Sequence, residues 1–412
     1  MPDPAPPRTG PRPLQLHLAM ALGGWLSSLA ALPPARSGSL RWKHAAEAEA
    51  AALRQPLARA DPEALARALG AHAARRIGLF LDGIEGYRAH PYRRRLAAPP
   101  VLWQAGSTRV LAFGGEPAGT PVLLVPSLIN RAYILDLTAR RSFARYLRER
   151  GLRPYLLDWG APGTDERAFT LDDYITGRLA PALEAVHRDA GRPLALAGYC
   201  MGGTMALPLA ARPEVAALVL LATPWDFHAD GGHQARLVAA CAPGLLALTE
   251  AAGELPADAL QAMFAGLDPL LAARKFSAFA ALATASAAAR NFVALEDWLN
   301  DAVPLTAPVA EACLEDWYGA NAPGRGLWRV GGEAVRPERV TTPALNVVPA
   351  RDRIVPPASA AALSAALPAV ETWRPPLGHI GMMASPRAKR LLWRRLAGWI
   401  AAHADASARG SP

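Results

Sequence analysis

Residues 194–203 read Leu-Ala-Leu-Ala-Gly-Tyr-Cys-Met-Gly-Gly, a short apolar run that leads into glycines around a single cysteine. The pattern Gly198-x-Cys200-x-Gly202 between a strand and a helix is typical of a nucleophile elbow, whose turn is so tight that only glycine fits beside the nucleophile. The helix start behind Cys200 stabilises a thiolate, and the backbone N–H of Met201 is placed to donate to an oxyanion. The alternative is a structural cysteine buried in a glycine-rich turn.

The flanking sequence predicts an α/β fold. Short apolar runs bounded by glycine and proline alternate with helical stretches, which is typical of βαβ units and a mostly parallel sheet with helices on both faces. The predicted strands are 108–113, 122–125, 154–157, 194–197, 215–222, 344–348 and 370–373, and the predicted helices are 138–150, 171–190, 203–211 and 386–402. The Ala/Leu-rich interval 225–339 breaks this alternation, so it predicts an inserted helical cap over the carboxyl edge of the sheet, where ligands bind.

The predicted domain organisation follows these changes in composition. A proline-rich tail, 1–13, is expected to be disordered, and residues 14–86 read as an N-terminal helical extension. The α/β core is predicted over 87–224 and 340–405, with the cap at 225–339 inserted between two strands. The 412 residues are 51% hydrophobic and 19% charged, which provides enough apolar surface for a core of this size.

Two further side chains complete a catalytic triad in the chain order nucleophile, acid, base. Asp352 follows the predicted strand 344–348, and His379 follows the next one, 370–373. In this hypothesis Asp352 fixes the tautomer and orientation of His379, which deprotonates Cys200. The alternatives are a helix N-cap or a surface ion pair for the aspartate, and a packed loop histidine for His379.

Charge and cysteine content argue against several classes of protein. The net charge of +9 comes from arginines spread along the chain without a dense basic run, so no nucleic-acid partner is expected. The three cysteines have no CxxC spacing, which argues against a disulfide framework and a metal site and fits a reducing cytoplasm. His228 and His233 lie in a Gly/Asp loop, where solvated histidines are preferred over a metal pair. No uninterrupted run of about 20 apolar residues indicates a transmembrane span.

The stretch 14–32 is the most apolar part of the N-terminal extension. Its leucines and Trp25 recur at helical spacing, so one face of the predicted helix is apolar. A secretory signal peptide is the less favoured interpretation, because the lead-in is rich in proline and no clear cleavage site precedes Pro33. The apolar face is expected to pack on the protein itself or to dock on an apolar polymer or partner subunit, and the flanking prolines favour docking.

Further motifs make a family resemblance specific. They are Asn130-Arg131-Ala-Tyr133-Ile-Leu-Asp136-Leu, Asp158-Trp159-Gly160, Thr170-Leu-Asp172-Asp173-Tyr174-Ile175, Gly-Tyr-Cys200-Met-Gly-Gly, Thr223-Pro224-Trp225-Asp226-Phe227, Leu345-Asn346-Val-Val and Gly378-His379-Ile380-Gly381. Together they resemble the poly(3-hydroxyalkanoate) synthases, in particular the short, two-subunit class III type, over roughly residues 85–402. The resemblance implies an α/β-hydrolase fold and the polymerisation of 3-hydroxyacyl-CoA with release of CoA through a Cys-His-Asp triad.

The resemblance also implies a role for each matching residue. Cys200 would carry the acyl group as a thioester, His379 would be the base, and Asp352 would support deprotonation of the incoming hydroxyl. Ile129 stands at the position similar to the family's second oxyanion-hole amide, beside that of Met201. About 85 residues before the matching core lie outside the resemblance.

The chemistry of a thiol agrees with this activity. A thiol that attacks a CoA thioester exchanges one thioester for another at nearly equal energy, so the acyl group stays activated for transfer to the 3-hydroxyl of the growing chain, provided the cap excludes water. No cofactor is expected, since the CoA thioester is the substrate. The expected partners are 3-hydroxyacyl-CoA and the growing polyester, and a second synthase subunit, a polymer-granule surface and a homo- or hetero-oligomer are further candidates. The expected location is the cytoplasm, including the surface of polymer granules.

Two other functions stay open at this point. The first is a hydrolase on the same core, such as an intracellular polyester depolymerase or a thioesterase. The second is a weakly catalytic subunit whose N-terminal helices bind a granule or a partner. The Asp158-Trp159-Gly160 motif and the segment 170–175 favour the synthase, although Asp158 also fits a strand-end aspartate next to a packed tryptophan.

Overall fold

The structure, a computed structural model, describes residues 7–409 and their side chains as far as residue 404. The chain forms two compact units. The larger comprises Arg93–Met263 and the chain from Asp297 onward, and the smaller comprises the chain up to Tyr92 together with Phe264–Glu296. This division differs from the predicted domain boundaries, because residues 264–296 were expected in the cap.

The larger unit is built on an eight-stranded sheet. Its strands are β1 (Val101–Ala105), β2 (Thr108–Ala112), β3 (Pro121–Val125), β4 (Arg153–Asp158), β5 (Leu194–Tyr199), β6 (Val215–Leu221), β7 (Ala344–Val347) and β8 (Val370–Trp373). Their order across the sheet is β1-β2-β4-β3-β5-β6-β7-β8. The β1–β2 and β2–β4 pairs are antiparallel and the others parallel. The predicted α/β fold with a mostly parallel sheet is confirmed, and the edge strand β1 lies outside the prediction.

Helices connect these strands and form most of the smaller unit. They are α1 (Leu14–Ala30), α2 (Leu32–Ser37), α3 (Glu47–Arg59), α4 (Pro62–Ala89), α5 (Phe143–Glu149), α6 (Leu171–Tyr174), α7 (Ala180–Ala190), α8 (Met201–Ala206), α9 (His233–Ala252), α10 (Ala257–Ala265), α11 (Leu271–Ala280), α12 (Ala287–Asn300), α13 (Ala307–Glu311), α14 (Pro357–Ala366), α15 (Gly381–Ala384) and α16 (Arg394–Arg409). Wider, π-helical turns occupy Ile175–Leu179, Ala312–Gly319 and Lys389–Trp393. Short strand pairs join Asp136–Thr138 to Arg141–Ser142, Glu254–Leu255 to Leu305–Thr306, and Arg329–Val330 to Glu333–Ala334.

The central strand β5 carries the predicted nucleophile to the carboxyl edge of the sheet. β5 and its neighbours β3 and β6 are buried along their whole length, which is why their sequences are continuous apolar runs rather than alternating ones. Tyr199 pairs with Leu221 at the end of β5. The N–H of Cys200 then donates to the carbonyl of Leu221 at 2.9 Å, so the chain leaves the sheet directly after this bond.

The smaller unit has an aromatic core of its own. Phe80 and Tyr87 of α4 meet Phe276 of α11 edge to face, with ring centroids 6.2 and 5.7 Å apart. Gly83 permits this close approach, because a Cβ there would strike the backbone of Phe276. The prediction of one continuous cap over 225–339 is therefore wrong for 264–296. Helical periodicity shows that a helix has an apolar face but not which partner buries it.

The beginning of the described chain is tied to the end of α4. Residues 1–6 lie outside the described residues, so only 7–13 bear on the expected disordered tail. The guanidinium of Arg8 donates to the carbonyl oxygens of His90 and Tyr92 and lies over the ring of Tyr87. The expectation of a disordered tail stays a prediction, although Arg8 in this segment bonds to carbonyl oxygens near the end of α4.

Helix α1 buries most of its apolar face inside the smaller unit. Leu14, Leu18 and Trp25 pack on the aromatic core, and the Trp25 ring meets Phe80 edge to face with centroids 6.3 Å apart. Leu22 and Leu26 are 41% and 57% exposed. Most of the apolar face of α1 therefore packs on the protein itself, whereas the sequence favoured docking of this face on a polymer or a partner subunit.

We expect Trp25→Ala to lower the free energy of unfolding by about 2 kcal/mol, because it removes a half-buried ring from the aromatic core. Leu26→Ala, one position further along α1, is the matched control and should change this free energy by less than about 0.5 kcal/mol. Thermal unfolding of both full-length variants measures the difference. Equal melting temperatures would show that the packed face of α1 contributes nothing to stability.

One segment of the described chain has the length and composition of a membrane-crossing helix. It is Asp230–Ala252, with a mean hydropathy of 1.3 and 17% of the most apolar window buried. A single segment of this kind is weak evidence for a membrane span, since helices of soluble proteins meet the same criteria. The absence of a transmembrane span therefore stays a prediction.

Candidate active site

The backbone at Cys200 has the strained conformation of a nucleophile elbow. Its φ of 56° and ψ of −131° lie in a region that non-glycine residues rarely adopt. Helix α8 begins at the next residue, Met201, and the Gly203 N–H donates to the Cys200 carbonyl at 2.9 Å. The turn between β5 and α8 thus fixes the thiol at the carboxyl edge of the sheet, with a helix N-terminus behind it.

The glycines around Cys200 are required by close backbone approach. A Cβ on Gly198 would collide with the backbone of Gly203, and one on Gly202 would collide with the carbonyl oxygens of Val125 and Pro126. Neither position therefore has room for a side chain. Gly203 is equally constrained, because a Cβ there would strike the side chain of Thr223.

Asp352 and His379 lie on adjacent loops after β7 and β8. The two loops continue the parallel pairing beyond the strands, since Arg351 N–H donates to the Leu377 carbonyl at 3.0 Å. This pairing brings His379 Nδ1 to 2.7 Å from Asp352 Oδ2. The side chains are 7% and 0% exposed, respectively. The structure therefore brings together the acid and base that the sequence predicted.

The second oxygen of Asp352 is also satisfied. Asp352 Oδ1 accepts from the backbone N–H groups of Ile354 at 2.8 Å and Val355 at 2.9 Å. The carboxylate is therefore held in one orientation by its own loop and presents Oδ2 to the imidazole. A His ring whose Nδ1–H is bound in this way exposes Nε2 to the nucleophile.

His379 also hydrogen-bonds to Cys200, which affects the protonation of the ring. Burial has the largest influence on the His379 pKa and lowers it. The negative charge of Cys200, the hydrogen bonds to Asp352 and Cys200, and the charge of Asp352 together outweigh burial and raise the pKa to about 10. The site thus favours the protonated form of His379 next to the nucleophile.

We expect Cys200→Ala to lower the His379 pKa from its value of about 10, because the variant removes the thiolate and leaves the ring buried. NMR titration of ring-labelled histidine measures this. The His379 imidazolium should persist as pH rises toward about 10 in the wild type and lose its proton at lower pH in the variant. Cys241→Ala, at an exposed thiol, is the control. An unchanged His379 titration in Cys200→Ala would contradict the ion pair.

The two predicted oxyanion-hole amides differ in their surroundings. Met201 is the first residue of α8, where backbone N–H groups lack partners within the helix. Ile129 lies in the loop after β3, and its N–H donates to the Ser127 hydroxyl at 3.1 Å. That amide must give up this bond before it can donate to an oxyanion. The assignment of Ile129 therefore stays a prediction.

The Asp158-Trp159 motif has a structural role in this arrangement. Asp158 accepts from the Arg109 guanidinium at 2.9 Å and from the Gly160 N–H at 3.2 Å. The indole N–H of Trp159 donates to the Pro126 carbonyl at 3.0 Å, at the start of the loop that carries Ile129. The interpretation as a strand-end aspartate with a packed tryptophan fits these bonds, and the tryptophan holds the start of the loop that carries Ile129.

His228 and His233 each bond to a backbone carbonyl. His228 Nε2 lies 2.9 Å from the Tyr318 carbonyl oxygen, and His233 Nδ1 lies 3.0 Å from that of Asp230. Both side chains are exposed. Within residues 7–409, no group of three or more His, Cys, Asp or Glu side chains is placed to hold a metal ion.

Two residues of the segment 312–321 were not identified from the sequence. Tyr318 lies near the nucleophile, since burial first, and then the negative charges of Cys200 and Cys313, raise its pKa. Asn321 accepts from the Phe227 N–H at 2.9 Å and donates to Asp226 Oδ1 at 2.8 Å. These bonds anchor the segment to the chain that follows β6. The local sequence of this helical segment gives no signal for either contact, because both depend on residues far away in the chain.

Comparison with known proteins agrees with this geometry. A family model described as α/β hydrolase fold matches residues 120–383. The poly(3-hydroxyalkanoate) polymerase subunit of Haloferax mediterranei is 33% identical over 322 residues, and the match covers 76% of this chain and 65% of that protein, which is less than two thirds of its length. The corresponding subunit of a Synechocystis species is 32% identical over 298 residues, covering 69% of this chain and 78% of that protein.

The comparison with solved structures gives lower similarity. An α/β hydrolase fold protein from Nakamurella multipartita is 20% identical, covers 74% of this chain and 99% of its own, and superposes with a TM-score of 0.44. The family model spans more than half of the 412 residues, and the Synechocystis relative is matched over more than two thirds of its length. The chain therefore belongs to the poly(3-hydroxyalkanoate) polymerase family, with an α/β hydrolase fold.

Proposed function

We propose that this chain is an acyltransferase that polymerises 3-hydroxyacyl-CoA into polyhydroxyalkanoate with release of CoA, through a covalent thioester on Cys200. The observation that carries the proposal is a cysteine at the nucleophile elbow that hydrogen-bonds to His379, whose Nδ1 lies 2.7 Å from Asp352. Membership of the polymerase family supports the same reaction. A thiolate beside an imidazolium is suited to attack on an acyl-CoA thioester.

The first half-reaction is acyl transfer from CoA to the enzyme. The Cys200 thiolate attacks the thioester carbonyl, and the developing oxyanion accepts hydrogen bonds from the Met201 N–H and, once released from Ser127, the Ile129 N–H. The C–S bond to CoA then breaks, and the CoA thiolate takes a proton from the His379 imidazolium. The products are free CoA, a neutral imidazole and an acyl group held on Cys200 in a new thioester.

The second half-reaction forms the ester bond. Neutral His379 accepts the proton of a 3-hydroxyl group, and the hydroxyl oxygen attacks the acyl thioester on Cys200. The C–S bond to Cys200 breaks, which restores the thiolate beside the imidazolium. Asp352 supports this step because its carboxylate stabilises the imidazolium as it forms. No oxidant, reductant or cofactor enters either half-reaction, because the CoA thioester supplies the driving force.

Water exclusion decides between polymerisation and hydrolysis, since water and a 3-hydroxyl compete for the same acyl thioester. Asp352 and His379 are almost fully buried. The rings of Phe227 and Tyr318 lie edge to face with centroids 4.9 Å apart. After burial, the negative charge of Cys200 raises the Tyr318 pKa, which places Tyr318 near the nucleophile. These aromatic groups place apolar surface near the nucleophile and favour transfer to an organic hydroxyl.

We also infer the setting of this reaction. The substrates are 3-hydroxyacyl-CoA and the growing polyester. The free thiols of Cys200, Cys241 and Cys313 fit the reducing cytoplasm, where the enzyme would work at the surface of its own polymer granule. A second synthase subunit and a homo- or hetero-oligomer are the further partners that we propose.

Incubation of the purified chain with 3-hydroxybutyryl-CoA tests the proposal. Free CoA is followed with a thiol reagent, and the product is recovered as polymer or as free acid. Release of CoA with high-molecular-weight polyester supports the synthase. Release of CoA with monomeric 3-hydroxybutyric acid would instead identify a thioesterase, and the absence of both CoA release and acyl-enzyme would contradict catalysis by this chain on its own.

A further inference from the structure

Tyr199, the residue before the nucleophile, lies against the base. Its ring centroid is 5.1 Å from that of His379, with 34° between the ring planes. Its hydroxyl donates to the backbone carbonyl of His379 at 3.3 Å. The side chain is buried. One residue of the elbow therefore contacts both the imidazole ring and the backbone of the loop that carries it.

We propose that Tyr199 is a positioning residue that fixes the distance and orientation of His379 relative to Cys200. The proposal rests on the proposed function, because it assigns His379 as the base of that reaction. Tyr199 and Cys200 are adjacent in the chain, so the elbow holds the nucleophile through its backbone and the base through the neighbouring side chain. If the elbow moves, Cys200 and His379 therefore move together.

Tyr199 and Asp352 restrain different movements of the His379 ring. Asp352 holds the imidazole through Nδ1 and Cys200 also hydrogen-bonds to the ring, but bonds made at the ring edges leave the ring free to tilt about the line that joins them. The Tyr199 ring lies beside the imidazole at a separation typical of paired aromatic rings and limits this tilt. The hydroxyl restrains the backbone of the His379 loop, where the carbonyl otherwise accepts only a long bond, 3.4 Å, from the Met382 N–H.

The hydroxyl of Tyr199 keeps its proton under all conditions in which the enzyme works. Burial first, and then the negative charges of Cys200 and Asp352, raise the Tyr199 pKa well above its ordinary value. The phenol is therefore a permanent donor to the His379 carbonyl and adds no negative charge next to the thiolate. A phenylalanine would keep the ring contact and remove this donor.

Two variants separate the contacts, and a third is a matched control. Tyr199→Phe removes only the hydroxyl, and Tyr199→Leu also removes the ring. Tyr155→Phe makes the same chemical change at another buried tyrosine, whose hydroxyl donates to Asp189 at 2.6 Å, away from the triad. The first readout is the rate of Cys200 alkylation by iodoacetamide as a function of pH, measured on the Cys200 peptide by mass spectrometry. The second is CoA release from 3-hydroxybutyryl-CoA.

We expect Tyr199→Phe to slow both reactions about fivefold near neutral pH, as the loss of one hydrogen bond to a precisely placed loop implies, and to move the alkylation profile to higher pH. Tyr199→Leu should slow them roughly a hundredfold, as expected for a misplaced base. Tyr155→Phe should lower the melting temperature and leave the alkylation profile unchanged.

An alkylation profile of Tyr199→Phe equal to that of the wild type would overturn the inference, and so would an equal shift in Tyr155→Phe. Tyr199→Phe preserves the ring, so the test holds even if Tyr199→Leu fails to fold. Alkylation requires no substrate, which separates this inference from the proposed function. If the wild type releases no CoA but the alkylation profile of Tyr199→Phe is still shifted from that of the wild type, only the polymerase activity is contradicted.

Discussion

We expect Cys200→Ala to abolish CoA release and Cys200→Ser to reduce it by about a thousandfold or more. The alanine variant lacks any group that can accept the acyl chain. The serine variant keeps the shape of the elbow, but a hydroxyl is a weaker nucleophile than a thiolate, and the ester that it forms is a less activated donor to the next hydroxyl. The loss in the serine variant thus affects both half-reactions.

The measurement for this prediction is continuous release of CoA from 3-hydroxybutyryl-CoA. The protein also contains matched thiols, since Cys241 is exposed and Cys313 half-buried. Cys241→Ala should retain the wild-type rate, because that residue lies on α9 and has no part in the triad. Near-normal CoA release by Cys200→Ala would remove the proposed covalent mechanism, and loss of activity in Cys241→Ala would point to a different nucleophile.

The sequence predicted the elbow and the central strands because local constraints determine both. A strand buried on both faces reads as a continuous apolar run, as 215–222 does. The glycines beside Cys200 are dictated by atoms a few residues away and by one neighbouring strand. The triad could be predicted because the chain order of strands determines which loops meet at one edge, and the 2.7 Å contact between His379 and Asp352 follows from that order.

Features that depend on distant partners could not be predicted in the same way. The edge strand Val101–Ala105 is exposed or half-buried at every position, and its sequence, Val-Leu-Trp-Gln-Ala, lacks the longer apolar run of the buried strands. The helices of 264–296 have the periodicity expected of a cap, but the aromatic side chains Phe276 and Phe279 pack in the unit that contains the N-terminal helices. The bond between Ile129 and Ser127 depends on the local conformation of a loop, which a motif does not specify.

The second prediction with a large expected effect concerns the separate roles of His379 and Asp352 in acylation and elongation. We expect Asp352→Asn to take up an acyl group from 3-hydroxyacyl-CoA but to elongate about a thousandfold more slowly, whereas His379→Ala and His379→Gln should fail at both steps. Acylation needs a Cys200 thiolate, which a hydrogen bond from His379 stabilises, and CoA is a good leaving group that can depart as a thiolate before it is protonated. Elongation needs in addition a base that accepts the proton of an alcohol, which is far less acidic than a thiol.

The hydrogen bonds of Asp352 explain why its amide analogue separates the steps. In Asp352→Asn the side-chain oxygen is expected to keep the backbone bonds from Ile354 and Val355, which directs the amide NH2 toward His379 Nδ1. Nδ1 must then accept rather than donate, so the neutral ring carries its proton on Nε2 and has no lone pair for the incoming hydroxyl. The same Nε2–H still donates a hydrogen bond to the Cys200 thiolate and stabilises it, so attack is retained, and CoA leaves as a thiolate that takes its proton from solvent.

Intact-protein mass spectrometry after substrate addition distinguishes acylation from elongation, since the acyl group adds its mass to the chain. Asp352→Asn should accumulate an acyl-enzyme that turns over slowly, and His379→Gln should remain unmodified. Asp158→Asn is the control, because this strand-end aspartate is bound by Arg109 and should acylate and elongate normally. If Asp352→Asn forms no acyl-enzyme under conditions in which the wild type does, the carboxylate is already needed for thiolate attack, and the division of roles between Asp352 and His379 is wrong.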